Sequence, residues 1–179
     1  MEEIRFKNTT ILGVRVGRSI ALGGDGQVTM GDIQMKSKAV KVRSFNDGKV
    51  LAGFAGAVAD AMALFEKFEM KLSEVNGVLQ KAVVEMAKEW RTDKILKELD
   101  ALLAIMDSRS AYLLSGSGDV IEPDGQVISI GSGSGYAVAA ARAFLESGEK
   151  DPKIIVKKAM KITANLCIYT NDNITILDA

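Results

Sequence analysis

The chain has 179 residues, of which 47% are hydrophobic and 26% charged, so its composition is that of an ordinary globular protein rather than a disordered or fibrous one. Its 23 basic residues balance its 23 acidic residues, which leaves no net positive field for nucleic acid, and its longest apolar run, ALLAIM, is far shorter than the roughly 20 residues that span a bilayer. The chain contains no histidine, which excludes Ser-His-Asp triads and histidine metal sites and leaves lysine, a carboxylate or the α-amino group as the base of an enzyme working near neutral pH.

The first eight residues are charged where a signal peptide needs an apolar segment, at Glu2, Glu3, Arg5 and Lys7. The single cysteine, Cys167, cannot form an internal disulfide, which agrees with a reducing compartment. We therefore expect a cytoplasmic protein. The length fits one domain with its own hydrophobic core.

The first fifty-odd residues of the chain predict an antiparallel sheet of short strands. The segments TTILGVRV and SIALGG flank Gly17-Arg18, which is suited to a hairpin turn. KAVKVRSF and KVLAGFAG flank the run 46–48, Asn-Asp-Gly, whose residues tolerate the positive φ of tight turns. Two hairpins in succession indicate one sheet.

Helical periodicity begins at Ala57 and continues to Leu72, and it returns from Leu79 to Trp90 after Gly77, so two helices are predicted. The segments ALLAIMD, SAYLLSG and QVISIGSG follow, separated by glycine, proline and aspartate. They predict a second set of strands and a second sheet or half-sheet.

The last quarter of the chain predicts two more helices and a final hairpin. YAVAAARAFLESG reads as a helix that ends near Gly148, and Asp151-Pro152 supplies an N-cap and first position for another. The predicted apolar face of that second helix is Ile155, Ala159, Ile162 and Leu166. CIYT, a turn at 171–173 and ITIL close the chain. Strands in runs and helices in pairs favour two stacked antiparallel sheets with helix pairs outside, rather than a parallel doubly wound fold.

The segment GGDGQ places Asp25 between glycines after a strand, where Asp-Gly is most often only a turn. Lys36, Lys38 and Lys41 follow within one more strand, and an ion pair with Asp25 would favour the charged form of both partners. Lys38 and Lys41 would point to opposite faces of a strand, and an inward lysine needs a partner. The alternative is that all three lysines lie on the surface.

Two glycine-rich connections lead from strands into helices. In AGFAGAVADA, the backbone at Gly53 and Gly56 could approach a ligand and form an oxyanion hole, although close packing of helix on sheet explains the glycines equally well. GSGSGY, residues 131–136, could hold an anion but lacks the lysine of a P-loop. A tight connection with Ser134 as helix cap is the preferred interpretation, and Ser132 could assist catalysis.

Adjacent threonines, Thr9 and Thr10, begin the first apolar run, where they can simply start a strand. A threonine at the N-terminus of a chain also carries its own base, because its α-amino group has a pKa near ~8 and needs no histidine. That chemistry requires cleavage of the peptide bond between Asn8 and Thr9. Cys167 is expected to be a buried small hydrophobe, since no histidine is present to activate it.

In combination, several segments of the chain resemble the HslV (ClpQ) family of bacterial proteasome-related peptidases: TTILGVRV, GGDGQVTMGD, KAVKVR, VLAGFAGAVADAMALFEKFEMKL, AKEWRTDKILKELDALLAIMD, IGSGSGYAVAAARAFL and LCIYTNDNITI. The resemblance covers essentially everything from Thr9 onward. It implies an α+β fold of the N-terminal nucleophile hydrolase type, a four-layer αββα sandwich with two antiparallel sheets. It further implies that residues 1–8 are a leader and that residues 9–179 form a single peptidase domain.

The resemblance also implies roles for individual residues. Thr9 would be the nucleophile, with its freed α-amino group as general base. The positive charge of Lys41 would lower the pKa of that hydroxyl and amine, and Asp25 would pair with Lys41 and orient it. The N–H of Gly53 would hold the oxyanion, and Ser132 would assist proton transfer near the amine.

The same resemblance implies no cofactor for the chemistry, a possible Na⁺ bound by the backbone carbonyls of Ala164, Cys167 and Thr170, and a dodecamer of two stacked hexameric rings. Relatives receive unfolded polypeptide from the hexameric AAA+ unfoldase HslU, which uses ATP. Three features depart from the family pattern: Ala164 stands where glycine is common, GSGSGY replaces GSGGPY, and an eight-residue leader that ends in Asn8 precedes a threonine that relatives expose by removal of methionine alone. A ring subunit that is inactive because its leader is retained is the rival hypothesis, and nucleotide binding through residues 131–136 is a third.

Overall fold

Antiparallel strand pairing organises the part of the chain that the computed structural model describes, residues 9–93, 101–115 and 118–179. The predicted leader, residues 1–8, lies outside the described residues. The strands are β1 (Thr10–Val16), β2 (Ser19–Gly24), β3 (Val28–Met30), β4 (Ile33–Lys36), β5 (Val42–Phe45), β6 (Val50–Gly56), β7 (Ala101–Met106), β8 (Ala111–Ser115), β9 (Val120–Ile121), β10 (Val127–Gly131) and β11 (Thr175–Asp178).

Each of the two main sheets combines strands from both halves of the sequence. One sheet has the order β10-β1-β2-β11 and the other β5-β6-β7-β8-β9, while β3 and β4 pair as a separate two-stranded sheet. The prediction of one sheet within the first fifty residues is therefore wrong, because β1–β2 and β5–β6 belong to different sheets. A hairpin turn determines only which neighbouring strands pair, and the assignment of hairpins to sheets depends on packing between distant segments.

The two predicted turns are confirmed. Val16 pairs with Ser19 around Gly17, whose φ is +60°. Asn46 and Asp47 adopt φ of 52° and 55° between β5 and β6. The β3–β4 hairpin and the short strand β9 were not predicted, and the final hairpin is wrong because β11 pairs with β2 instead of with residues 167–170.

Between the sheets lies an apolar layer that excludes water from both inner faces. It includes Ile11, Leu22, Val42, Leu51, Met106 and Ile128. The sheets approach closely at Gly13, where an added Cβ would lie 2.7 Å from the Met106 sulfur. Burial of this layer is the main force that holds the sheets together.

Helices α1 (Val58–Glu74) and α2 (Leu79–Thr92) cover the β5–β9 sheet, as the periodicity predicts. Gly77, with φ of +76°, lies in the turn between them. Large side chains fill this layer, and they include Phe45, Phe65, Phe68 and Trp90.

Helices α3 (Ser134–Glu146) and α4 (Pro152–Leu166) cover the other sheet, which completes the predicted αββα sandwich. The predicted N-cap is confirmed, because the Asp151 carboxylate accepts from the N–H groups of Lys153 and Ile154. The predicted apolar face of α4 is partly wrong, since Ile162 and Leu166 are 41% and 58% exposed. The buried stripe instead continues along the face that contains Val156, Met160 and Thr163. Within the described part of the chain, no helix combines the length and apolarity that a membrane span needs.

Candidate active site

Thr9 lies immediately before β1 and is only 1% exposed. Its carbonyl accepts a hydrogen bond of 2.9 Å from the Ser132 N–H. Gly131 has φ of +95°, and a Cβ at this position would lie 1.9 Å from the Thr9 carbonyl oxygen. The connection from β10 to α3 therefore holds the backbone of Thr9 so closely that only glycine fits at residue 131.

Asp25 and Lys41 form a buried ion pair, with 3.2 Å between Lys41 Nζ and Asp25 Oδ1. The same Oδ1 accepts the Thr10 N–H at 2.8 Å. The other carboxylate oxygen, Oδ2, accepts the backbone N–H groups of Gln27 at 2.9 Å and Asn171 at 3.4 Å. Four donors contact this one buried carboxylate, so its position relative to the lysine is defined by hydrogen bonds on both of its oxygens.

The structure distinguishes Lys41 from the other two candidate lysines, because Lys36 and Lys38 are exposed and Lys41 is 1% exposed. Burial lowers the pKa of Lys41, and the charge and hydrogen bond of Asp25 oppose this effect only in part. The ion pair with Asp25 is present and favours the charged lysine, as the sequence suggested, but the effect of burial is larger. Lys41 also precedes β5 instead of lying within a strand.

Gly53 lies in β6, where it is in register with Val42 of β5. The next residue, Phe54, donates its N–H to the Lys41 carbonyl at 3.1 Å. A Cβ on Gly53 would lie 2.7 Å from the Ile11 side chain. The absence of a side chain thus lets the two sheets approach each other beside the ion pair. Close sheet packing accounts for the glycine, and a role of its N–H in catalysis stays a prediction.

Two backbone donors of the GSGSGY connection are already used by the threonine pair. Ser132 N–H donates to the Thr9 carbonyl, and Gly133 N–H donates to Thr10 Oγ1 at 3.1 Å. Gly133 is the N-cap of α3 and no side chain caps the helix, so the prediction of a Ser134 cap is wrong. The Ser132 residue is exposed beside the site. These contacts give the connection a structural task that does not involve a nucleotide.

The segment after α4 reaches the same site from the opposite side. Thr170 Oγ1 and Thr10 Oγ1 are hydrogen-bonded at 2.7 Å. Cys167 is buried, as predicted for a small hydrophobe, and its carbonyl accepts the Thr170 N–H at 3.0 Å. Ala164 belongs to the last turn of α4, where carbonyls lack intrahelical partners. Among the described residues no cluster of His, Cys, Asp and Glu could hold a metal ion.

Three further residues take part in the site and carry no signal in the sequence that predicts this: Gln27, Thr10 and Asn171. Gln27 accepts from Lys41 Nζ through its carbonyl and donates its N–H to Asp25. Thr10 donates its N–H to Asp25, and its hydroxyl is hydrogen-bonded to Thr170 in the loop after α4. Asn171, in the same loop, donates its N–H to Asp25. All three lie in segments that carry the family resemblance, but a motif does not indicate which of its residues meet in space.

Comparison with known proteins places the whole chain among related sequences and folds. The family model described as Proteasome subunit matches residues 6–178. The chain is 53% identical over 174 residues to the ATP-dependent protease subunit HslV of Caldicellulosiruptor saccharolyticus, a match that covers 97% of this chain and 99% of that protein. Eukaryotic HslV from Trypanosoma brucei aligns with a TM-score of 0.88 at 42% identity, over 94% of this chain and 98% of the other.

A more distant structure, Thiobacillus denitrificans BPH, aligns with a TM-score of 0.68 at 16% identity, over 95% of this chain and 97% of the other. At that identity the likeness concerns the fold alone. The agreement between the two HslV proteins and this chain extends over nearly the full length of each, so it includes both sheets and both helix layers.

Proposed function

The chain belongs to the proteasome subunit family, and from this premise we propose that it is the proteolytic subunit of an ATP-dependent protease, which hydrolyses unfolded polypeptides with Thr9 as an N-terminal nucleophile. The observation that carries the proposal is the contact between the residue after Thr9 and the buried ion pair. Thr10 N–H donates to the same oxygen of Asp25 that receives Lys41 Nζ. The peptide unit that follows the nucleophile is therefore tied directly to the charged pair.

The proposal requires removal of residues 1–8, because only a free α-amino group can act as the base. The φ of Thr9 is +99°, a conformation that costs a β-branched residue about 1–3 kcal/mol. This torsion exists only while Asn8 is attached, since it includes the carbonyl carbon of the preceding residue. Relief of that strain supports cleavage at the Asn8–Thr9 bond.

In the proposed reaction, Thr9 Oγ attacks the carbonyl carbon of the scissile peptide while the α-amine takes the hydroxyl proton through a water molecule. The N–H of Gly53 stabilises the oxyanion. Collapse of the intermediate breaks the C–N bond, the leaving amine takes the proton, and the acyl group stays on Oγ as an ester. A water molecule then attacks the ester and loses a proton to the α-amine of Thr9. This hydrolysis releases the acyl group as a carboxylic acid and restores the Thr9 hydroxyl.

The charge of Lys41 would lower the pKa of the neighbouring hydroxyl and amine, so the proposal requires that Lys41 keeps its proton near neutral pH. The carboxylate of Asp25 favours that charged form against the effect of burial. Ser132 is proposed to assist proton transfer near the amine. Its backbone contact with Thr9 supports this assignment, because it places the two residues side by side.

A Na⁺ ion bound by the carbonyls of Ala164, Cys167 and Thr170 is also part of the proposal. These carbonyls lie at or after the C-terminal end of α4, where the helix dipole favours a cation and the last carbonyls have no partner within the helix. The Cys167 carbonyl accepts one N–H and has a second lone pair for an ion. Such an ion would stabilise the loop that contacts Thr10.

We further propose that the subunit assembles into two stacked six-membered rings in the cytoplasm and receives substrate from the HslU ATPase. The near-complete match to a subunit named as part of an ATP-dependent protease supports this partnership. The balanced charge of the chain leaves room for extensive contacts between like subunits. ATP would bind to the partner and not to this chain.

The function is tested by the intact mass and peptidase activity of wild type, Thr9→Ala and the conservative variant Thr9→Ser. We expect wild type to lose residues 1–8 and to cleave a fluorogenic peptide when the ATPase partner and ATP are present. Thr9→Ala should stay full-length and lose activity by about 10⁴-fold or more, whereas Thr9→Ser should keep part of both functions. An assembled wild type that retains its leader and has no activity would support the rival inactive subunit, and an active Thr9→Ala would refute the nucleophile.

A further inference from the structure

Asp25 and Lys41 lie on two irregular segments at either side of an exposed hairpin. Residues 25–27 connect β2 to β3 and residues 37–41 connect β4 to β5. Between them, β3 and β4 form their own two-stranded sheet, and every residue of β4 is exposed. A two-stranded hairpin has little stability by itself, so it cannot by itself keep its base in one geometry.

The two segments touch at the base of this hairpin. Ala39 N–H donates to the Gly26 carbonyl at 2.9 Å, and a Cβ on Gly26 would lie 2.4 Å from the Ser37 carbonyl oxygen. The ion pair and the hydrogen bond from Lys41 Nζ to the Gln27 carbonyl add two further links between the segments, and both depend on the buried ammonium group. Desolvation offsets much of the attraction in a buried pair, so the pair is a weak means of holding the segments together.

Asn171 bridges the same two segments from the loop after α4. Its Oδ1 accepts the Gly26 N–H at 3.1 Å, and its Nδ2 donates to the Ser37 carbonyl at 2.9 Å. Its backbone N–H donates to Asp25 Oδ2 at 3.4 Å. The Oδ1 atom also accepts the Asn173 N–H at 3.2 Å, which helps to orient the carboxamide.

We propose that Asn171 is a positioning residue for the peptidase reaction: its carboxamide holds the segment that carries Asp25 against the segment that carries Lys41. The separation of carboxylate and ammonium beside Thr9 is then maintained by a third element and not by the exposed hairpin. A carboxamide suits this task because one group offers both an acceptor and a donor. The inference rests on the proposed function, in which the ion pair assists Thr9.

Two variants at this position separate bridging from simple packing. Asn171→Ala removes both bridging hydrogen bonds, while Asn171→Asp keeps the shape and the acceptor but cannot donate to the Ser37 carbonyl. We expect each to lower kcat per active site by about ten- to a hundredfold, because a shift of about 1 Å at a catalytic group has an effect of that size. KM should change by less than about twofold, since Asn171 acts through the ion pair and not on substrate.

The assay uses the full chain with the ATPase partner, ATP and a fluorogenic peptide, and counts active sites with a peptide boronate that binds the threonine hydroxyl. The rate of removal of residues 1–8, measured by intact mass, is a second readout and should fall in both variants. Asn173→Ala is the matched control, because it alters an exposed side chain of the same loop and keeps the backbone N–H that contacts Asn171.

The positioning role is overturned if both Asn171 variants match Asn173→Ala in kcat per titrated site and in leader removal. It is also overturned if Asn171→Asp behaves as wild type, because the hydrogen bond to the Ser37 carbonyl, and with it the bridge between the two segments, would then be unnecessary. If both Asn171 variants fail to fold while Asn173→Ala folds, the role of Asn171 is structural and the positioning role is wrong. The proposed function is tested separately, because it is wrong if Thr9→Ala keeps peptidase activity.

Discussion

The two helix layers of the sandwich cover their sheets with side chains of very different size. On the α1–α2 side, Phe45 packs edge-to-face against Phe65 and Phe68, with ring centroids 5.7 and 5.4 Å apart. On the α3–α4 side, alanines are buried, and a Cβ on Gly23 would lie 2.5 Å from the Val156 side chain. Small residues let α4 approach its sheet closely, whereas aromatic rings fill the space between α1, α2 and their sheet.

This difference matters for the candidate site, because hydrogen bonds to the Thr10 hydroxyl come from the closely packed layer. The N-cap of α3, Gly133, donates to Thr10 Oγ1, and Thr170 after α4 bonds the same hydroxyl. Asn171 in turn contacts Asp25. We infer that the α1–α2 layer mainly supplies stability, while the α3–α4 layer supplies stability and also positions the site.

The largest expected effect is on stability, from Trp90→Ala in the aromatic layer. Trp90 is fully buried, and truncation of such a residue costs about 3–5 kcal/mol. We expect a large fall in the thermal midpoint and an unchanged kcat per titrated site at low temperature. Met70→Ala, at an exposed position of α1, is the control and should change neither quantity. A fall in kcat per site for Trp90→Ala would show that this layer positions the site after all.

Gly23→Ala, beneath the α3–α4 layer, should have a smaller effect on stability than Trp90→Ala. Unlike Trp90→Ala, it should also lower activity. The added methyl group must displace Val156, and such overpacking costs about 1–3 kcal/mol. A shift of α4 would carry the loop after it away from Thr10, so kcat per site should fall by about tenfold. Gly135→Ala in α3 is the matched control, because an added Cβ there meets open space. Unchanged kcat in Gly23→Ala would contradict the division of roles between the layers.

The smallest effect is expected at the surface of the aromatic layer, from Glu89→Gln. The Glu89 carboxylate accepts from Lys67 at 2.6 Å and lies 3.1 Å from Lys71, and these hydrogen bonds lower the pKa of Glu89. Because the folded-state pKa is lowered, the stabilisation is present above the ordinary pKa of glutamate and disappears as the pH falls through the lowered value.

For such partly exposed pairs we expect wild type to be more stable than Glu89→Gln by less than about 1 kcal/mol at pH 7. The difference should disappear in strong acid and shrink in high salt, as measured by denaturant unfolding. Glu85→Gln, whose partner Lys88 lies on the same exposed helix face, should have a still smaller effect. A pH-independent difference would mean that the charge of Glu89 is not responsible.

The features that the sequence predicted correctly are local ones. The turns at Gly17 and at Asn46, the helix pairs and the Asp151 N-cap depend on residues that are neighbours in the chain. The candidate site followed partly from the absence of histidine and partly from the family resemblance. Asp25 and Lys41 were brought together by that resemblance, and the structure contains the ion pair.

The features that the sequence could not predict depend on contacts between distant segments. Periodicity alone suggested Ile162 and Leu166 as part of the buried face of α4, yet close approach to β2 turned the Val156 side inward. The net lowering of the Lys41 pKa follows from the extent of its burial, which no local pattern contains.

By itself, the sequence determined the order of the longer strands and of helices α1 to α4, the absence of histidine chemistry and the family-derived candidates from Thr9 to Thr170. Only the tertiary structure decided which strands share a sheet, which lysine is buried and that Asn171 lies across the base of the ion pair. The physical reason is that turn and helix preferences act over a few residues, whereas burial and hydrogen bonding at the site join segments up to 160 residues apart.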